Sequence, residues 1–134
     1  GNSQSSKNFV INRLIEAKKS NGQIFSNIDQ KGNPTFTNDL VKTIHNLIEK
    51  NISGLFNCVN QGSASRFEYV SEIIQLLDID VSVREVKKNA FKRIANVSNN
   101  EMALNFHLTK LNLNDMPRWE LSLKKYINSL NLKV

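Results

Sequence analysis

The segment Asp29-Gln30-Lys31-Gly32-Asn33-Pro34-Thr35-Phe36-Thr37-Asn38-Asp39-Leu40 gathers a carboxamide and two threonine hydroxyls around one Gly and one Pro, in a chain with only five Gly and two Pro. Pro34 fixes its own φ and drives Asn33 toward extended backbone, while Gly32 permits a turn that a side chain would resist. A corner of such fixed geometry aims the Gln30 amide reproducibly, which suits hydrogen bonding to a polar ligand. Thr35 and Thr37 offer hydroxyls near the start of a helix expected from about Asn38, where free backbone amides attract an anion or take a capping side chain. The alternative is structural: Thr37 or Asn38 caps the helix, and Asp39 complements its dipole.

Other familiar chemistries find no support. A dinucleotide site needs closely spaced glycines between a strand and a helix, so that backbone amides approach the pyrophosphate. Gly1, Gly22, Gly32, Gly54 and Gly62 never fall at such spacing, and a phosphate-binding P-loop is missing for the same reason. His45 and His107 lie far apart, with no metal-binding spacing or Cys partner, so His45 reads as a surface or interfacial residue. No nucleophile-elbow pattern supports a Ser-His-Asp set. Cys58 is the single cysteine, which excludes a disulfide framework and a thiolate metal cluster and leaves it as a small core residue.

The elements that must position the corner are legible from periodicity. At 134 residues and 40% apolar content, one domain with a core is expected, burying roughly two thirds of its unfolded surface. A first helix spans residues 7 to 20, with Phe9, Val10, Leu14 and Ala17 on one face, and Asn21-Gly22 stops it. Strands are expected at residues 23 to 28, 55 to 60 and 81 to 86. The helix after the corner is apolar at Leu40, Val41, Ile44, Leu47 and Ile48. Ser65-Arg66-Phe67-Glu68 is a capping box opening a helix apolar at Phe67, Val70, Ile73, Ile74 and Leu77. A short helix is expected at residues 101 to 110, and Pro117 in the first turn of a last helix carrying Leu121, Leu123, Tyr126, Ile127 and Leu130. Trp119 reads as a core anchor. The pattern is an alternating α/β chain of three short strands and about five helices.

The formal charge of +6 favours anionic partners, but the basic residues are scattered. Only Lys87-Lys88 with Lys92-Arg93 form a cluster, without the stacking aromatics of a nucleic-acid surface, so no nucleic-acid partner is expected. No apolar run is long enough for a membrane span and no signal region opens the chain, so a cytoplasmic location is expected. Gly1 reads as a residue left by tag cleavage.

The corner resembles the D-Q-x-G-x-P-T-x-T-x-D-L segment of dTDP-4-dehydrorhamnose reductases, extended short-chain dehydrogenase/reductases of bacterial deoxysugar synthesis. Asn8-Phe9-Val10 is similar to the N-F-V that opens a helix just after the family's Rossmann core. Gly54-Leu55-Phe56-Asn57-Cys58-Val59-Asn60-Gln61-Gly62 resembles its G-x-[YF]-[HN]-x-x-N-x-G, and Ser65-Arg66-Phe67-Glu68 the helix start that follows. Met116-Pro117-Arg118-Trp119-Glu120 with Ser122-Leu123 and Tyr126 resembles P-x-W-x-x-[SA]-L-x-x-Y. The likeness runs in order through nearly the whole chain.

The resemblance implies half an enzyme: a single C-terminal sugar-nucleotide-binding domain over residues 1 to 134, with the Rossmann half elsewhere. The family's catalytic Tyr-x-x-x-Lys is absent, since Ile73 and Leu130 stand four residues beyond the two tyrosines. No catalytic residue and no cofactor site is expected in this fragment, and the parent would use NADPH or NADH to deliver hydride to a 4-keto carbon. For the nucleotide-sugar, the resemblance implies Arg93 on the diphosphate, in Arg93-Ile94-Ala95-Asn96, where Ile94 replaces the family's usual Pro. Asn96, Gln30, Thr35 and Asn8 complete the expected substrate-binding set, with N-capping of the first helix as the alternative for Asn8. A guanidinium grips a diphosphate with paired N–H donors, and Lys87, Lys88 or Lys92 would add field. Two other readings remain open on the same fold: a non-catalytic relative such as the regulatory beta subunit of methionine adenosyltransferase, or part of another nucleotide-sugar epimerase or dehydratase. In the family, the strand resembling residues 55 to 60 joins the Rossmann sheet. Cut free, it would expose unpaired backbone, and a homodimer through residues 55 to 60 is expected.

Overall fold

A computed structural model of the chain describes residues 8–87 and 98–130. Helix α1 (Phe9–Lys19) starts where the Ile11 amide donates to Asn8 Oδ1 (3.3 Å), and its last-turn Lys18 and Lys19 complement the dipole. Gly22, at a φ of +81°, turns the chain into β1 (Gln23–Asn27). Then follow β2 (Lys31–Gly32), α2 (Thr37–Glu49), β3 (Ala64–Ser65), α3 (Arg66–Leu76), β4 (Ser82–Val86), α4 (Phe106–Lys110) and α5 (Trp119–Ser129). β1 pairs in parallel with β4, from Gln23↔Ser82 to Asn27↔Val86, and α3 packs on both. β2 and β3 form a two-residue antiparallel pair, Lys31↔Ser65 and Gly32↔Ala64.

The core lies where α1, α3 and α5 meet. Val10, Leu14, Ile73, Leu77, Trp119, Leu123 and Ile127 form one buried cluster, with Ala64 from β3. Ala17, Ile24, Val70 and Ile74 form a second, between α1, α3 and β1. Trp119 is a core anchor, as its place in the sequence suggested. The expected capping box is present in both directions: the Glu68 amide donates to Ser65 Oγ (3.0 Å) and the Ser65 amide to Glu68 Oε2 (2.6 Å).

The mixed α/β fold is as expected, but five local expectations are corrected. Residues 55 to 60 form no strand, because no strand among the described residues lies beside them to complete a ladder. The two short strands β2 and β3 stand outside the expected set. The helix expected over residues 101 to 110 begins only at Phe106, because the Asn105 side chain is drawn onto the Val59 backbone, accepting from its amide (2.9 Å) and donating to its carbonyl (2.7 Å). Pro117 precedes α5 instead of entering its first turn, and its carbonyl accepts from the Gln61 amide (2.9 Å). Neither Thr37 nor Asn38 caps α2; the helix follows directly on Phe36, without a side-chain cap.

Helix α2 is turned inside out. Its only buried residue is Thr43, whereas Val41 (56%), Ile44 (45%) and Ile48 (68%) are exposed. The polar stripe faces the body: Thr43 Oγ1 donates to Asp115 Oδ1 (2.8 Å), and Asn46 Nδ2 to Asp115 Oδ2 (3.0 Å). No described helix is long and apolar enough to cross a membrane.

The capping box makes a stability prediction. The hydrogen bonds from Ser65 hold the Glu68 carboxyl below its usual range. A lowered folded-state value means that this stabilisation is complete above the ordinary Glu value and is lost as pH falls through the lowered one. Ser65→Ala should destabilise by about 1 kcal/mol at neutral pH, and urea titrations should show the deficit shrinking as the pH is lowered through that range. A pH-independent deficit would assign it to packing alone.

Candidate functional site

The corner between β1 and α2 is held at several points. Asn27, buried at the end of β1, accepts on Oδ1 from the amides of Asp29 (2.7 Å) and Gln30 (3.0 Å). Side chains of this type mimic a backbone turn, and here one fixes where Gln30 stands. The Lys31 amide donates to the Asn99 carbonyl (2.9 Å), and the Glu101 amide to the Lys31 carbonyl (2.9 Å). Asn33 donates from Nδ2 to the carbonyls of Gly62 (2.8 Å) and Asn60 (3.3 Å) and accepts on Oδ1 from the Ala103 amide (2.8 Å). Thus the segment from 99 to 103 is strapped directly to the corner.

Beneath the corner sits Asn60, fully buried. Its Oδ1 accepts from the Phe36 amide (2.8 Å), the donor that would otherwise stay open at the start of α2. Its Nδ2 contacts Asp39 Oδ2 (2.9 Å), the Pro117 carbonyl (3.0 Å) and Ser122 Oγ (3.2 Å), while Ser122 Oγ donates to the same Asp39 oxygen (2.6 Å). Asp39 therefore does more than complement a dipole: it ties α2 to α5. Two positions on, Gly62 holds a φ of +82°, and a Cβ there would lie 3.1 Å from Trp119 Cδ1, so both the backbone and the space call for glycine.

The expected substrate-binding residues fall into three groups. Gln30 is 8% exposed, its amide is held by Asn27 and its carbonyl accepts from the Arg66 amide (3.2 Å). Asn8 stands at the start of α1, where it caps the helix and donates from Nδ2 to the Tyr126 hydroxyl (2.6 Å), so a ligand would compete with the cap. Thr35 is engaged in the corner itself, donating to the Asn33 carbonyl (3.1 Å) and accepting from the Asn60 amide (3.3 Å). The Arg66 amide holds the Gln30 carbonyl, and the Arg66 guanidinium lies over the Phe9 ring. Arg93 and Asn96 lie outside the described residues, as do Lys88 and Lys92.

Two groups with possible reactivity are held quiet. Burial pushes the Cys58 thiol up, more than a hydrogen bond with Thr43 lowers it. Burial, with Tyr126 nearby, pushes the Tyr69 hydroxyl up to about 12, making it a poor proton donor near neutral pH. Among the described residues, no group of three His, Cys, Asp or Glu could hold a metal.

The sequence matches the family described as RmlD substrate binding domain over residues 2–132. The chain belongs to that family. A probable dTDP-4,6-dihydroxy-2-methyloxan-3-one 4-ketoreductase from Streptomyces antibioticus is 33% identical over 87 residues, which are 63% of this chain and 30% of the relative. The crystal structure of a dTDP-4-dehydrorhamnose reductase from Clostridium acetobutylicum superposes with a TM-score of 0.88 at 31% identity, covering 96% of this chain and 45% of that one. A Bacillus anthracis dTDP-4-dehydrorhamnose reductase, solved in complex with NADP, gives 0.85 at 27% identity, covering 94% and 44%. The RmlD substrate-binding domain described here thus spans less than half the length of these proteins.

Asn60, Asn27 and Arg66 escaped the site reading. Asn60 stood in the G-x-[YF]-[HN]-x-x-N-x-G pattern, and that fixed Asn was the signal for it; Asn27 gave none beyond its place before a turn.

If Asn60 organises the corner, Asn60→Ala should cost about 2–4 kcal/mol, because it strands the Phe36 amide and the Pro117 carbonyl and leaves Asp39 with Ser122 alone in this network. Asn57→Ala, an exposed asparagine on the same segment, should stay within about 0.5 kcal/mol. Urea unfolding of both variants checks this; equal costs would remove the special role.

Proposed function

We infer that this domain holds the nucleotide-linked deoxysugar of a dTDP-4-dehydrorhamnose reductase-like oxidoreductase, whose nucleotide-binding half lies in another part of the parent protein. The observation that carries the reading is the inside-out α2, joined to the family match and to reductase relatives more than twice as long. A helix that turns its polar stripe inward and leaves Val41, Ile44 and Ile48 outside is built to be covered by a second body. Leu55, 89% exposed on the irregular segment that follows, adds a further apolar side chain to be covered.

In that assembly NADPH or NADH would be held by the other half and would supply hydride for a 4-keto carbon. This chain's part is to bind and orient. The rigid corner presents the buried Gln30 amide, Asn8 stands at the start of α1, and Thr35 keeps the turn closed. Arg93 and Asn96 are proposed for the diphosphate on the strength of the family-like Arg93-Ile94-Ala95-Asn96.

Two outcomes test this. Titration of the isolated chain with dTDP, followed by amide NMR shifts, should perturb Gln30 and its neighbours, and Arg93→Ala should weaken the binding about tenfold. Absence of any shift at millimolar dTDP would remove the nucleotide-sugar reading, and unchanged affinity would remove Arg93 from the site. In sedimentation the isolated chain should self-associate through residues 55 to 60, and Leu55→Lys should shift it toward monomer. A clean monomer at high concentration would show that this edge is protected without a partner.

A further inference from the structure

Helix α2 has little to hold it in its own sequence. Of its 13 residues, only Leu40, Lys42, Leu47 and Glu49 are strong helix formers. Val41, Thr43, Ile44 and Ile48 are β-branched and lose side-chain freedom against the preceding turn. The last turn holds Glu49 and no basic residue, which sets a carboxylate at the negative end of the helix dipole. His45 Nδ1 lies 3.4 Å from Glu49 Oε2, but both side chains are exposed, and such pairs contribute little. A helix of this length is marginal by itself, so tertiary contacts must hold it.

Those contacts differ from the ones that hold its neighbours. Helix α1 buries Val10, Leu14 and Ala17, and α3 buries Val70, Ile73 and Ile74. Helix α2 buries no apolar side chain, only Thr43, and among the described residues it packs along no other helix or strand. Its attachment is also uneven along its length. The start is anchored in a buried network, through the Phe36 amide on Asn60 and through Asp39 on Asn60 and Ser122. Farther on, the bonds that reach the body run to Asp115, from Thr43 Oγ1 (2.8 Å) and Asn46 Nδ2 (3.0 Å). Met116 Sδ (3.2 Å) and the Cys58 thiol are weaker partners of the same Thr43 hydroxyl. Asp115 is exposed, so water competes for its oxygens, whereas Asn60 is out of reach of water.

We propose that the last two turns of α2, residues 43 to 49, are an arm latched by Asp115 that opens by itself while the corner and the three-helix core stay closed. Segments with few buried apolar contacts open at lower free energy than the core around them. Ile44 and Ile48 ride on this arm and can shift without moving the Pro34 turn, because Asn60 pins the helix start. The use of such an arm rests on the reading above that a second body covers the outer stripe: covering it closes the latch, so the surface that must fit a partner adjusts and the corner does not.

Native-state hydrogen exchange of the whole chain, read amide by amide by NMR, tests the arm without any ligand or second body. Relative to their unstructured rates, the Leu47, Ile48 and Glu49 amides should exchange about tenfold faster or more than those of Ile73 and Ile74, with Phe36 staying protected. Asp115→Ala should speed the three α2 amides about tenfold further and leave Phe36, Ile73 and Ile74 unchanged. Thr43→Val keeps the shape and removes one latch bond, so it should give a smaller acceleration, and it decides the question should Asp115→Ala not fold. Asp80→Ala removes an exposed carboxylate elsewhere and should change none of these rates. Equal protection of α2 and α3 in the wild type would overturn the arm. So would an Asp115→Ala that speeds α3 as much as α2, or a Phe36 amide that opens together with Leu47. Each of these results leaves the nucleotide-sugar reading to its own titration.

Discussion

A single buried side-chain amide ties together the parts that make the corner. Asn60 has no exposed surface, and its carboxamide meets the Phe36 amide, the Asp39 carboxylate, the Pro117 carbonyl and the Ser122 hydroxyl. These groups come from the start of α2 and the start of α5. A polar network buried this deeply is stabilising only when every member is satisfied, which makes it intolerant of rearrangement. Its satisfaction fixes the angle at which the chain leaves the Pro34 turn. Asn27 fixes the other end of that turn, at Gln30, so the corner is rigid from both sides.

The same network explains why α2 is oriented as it is. Asp39, Thr43 and Asn46 all make polar contacts toward the body of the domain, through Asn60, Ser122 and Asp115. With these polar side chains committed inward, Leu40 and Leu47 stay half-buried and the rest of the apolar stripe faces out. Exposed Val41, Ile44 and Ile48 are therefore the direct consequence of a specific inward network. Elsewhere the helix starts are satisfied by side chains, at Asn8 for α1 and Ser65 for α3.

Much of this was legible beforehand because it is local. The capping box of Ser65 and Glu68 needs only four consecutive residues, and the buried positions of α1, α3 and α5 follow from helical periodicity. The unpaired segment at residues 55 to 60 misled for a physical reason: its apolar alternation describes what a strand would bury, and pairing depends on a neighbour that the described chain does not provide. The short helix near Phe106 began late because the Val59 backbone, distant in sequence, holds the Asn105 side chain. Neither competition is visible in a window of a dozen residues.

The sequence by itself determined which segments are helical, where the corner lies, which apolar residues form the three-helix core and which family the chain resembles. These follow from chain-local sterics, capping and periodicity, or from motif order. Only the tertiary structure decided that Asn60 joins α2 to α5, that Val41, Ile44 and Ile48 of α2 face away from the body, and that Arg66 rests on Phe9. Periodicity says that a helix has two faces but not which of them the rest of the molecule covers. Partners dozens of residues apart are chosen by packing, and packing is what brings Phe9 to Arg66 and Asp39 to Ser122.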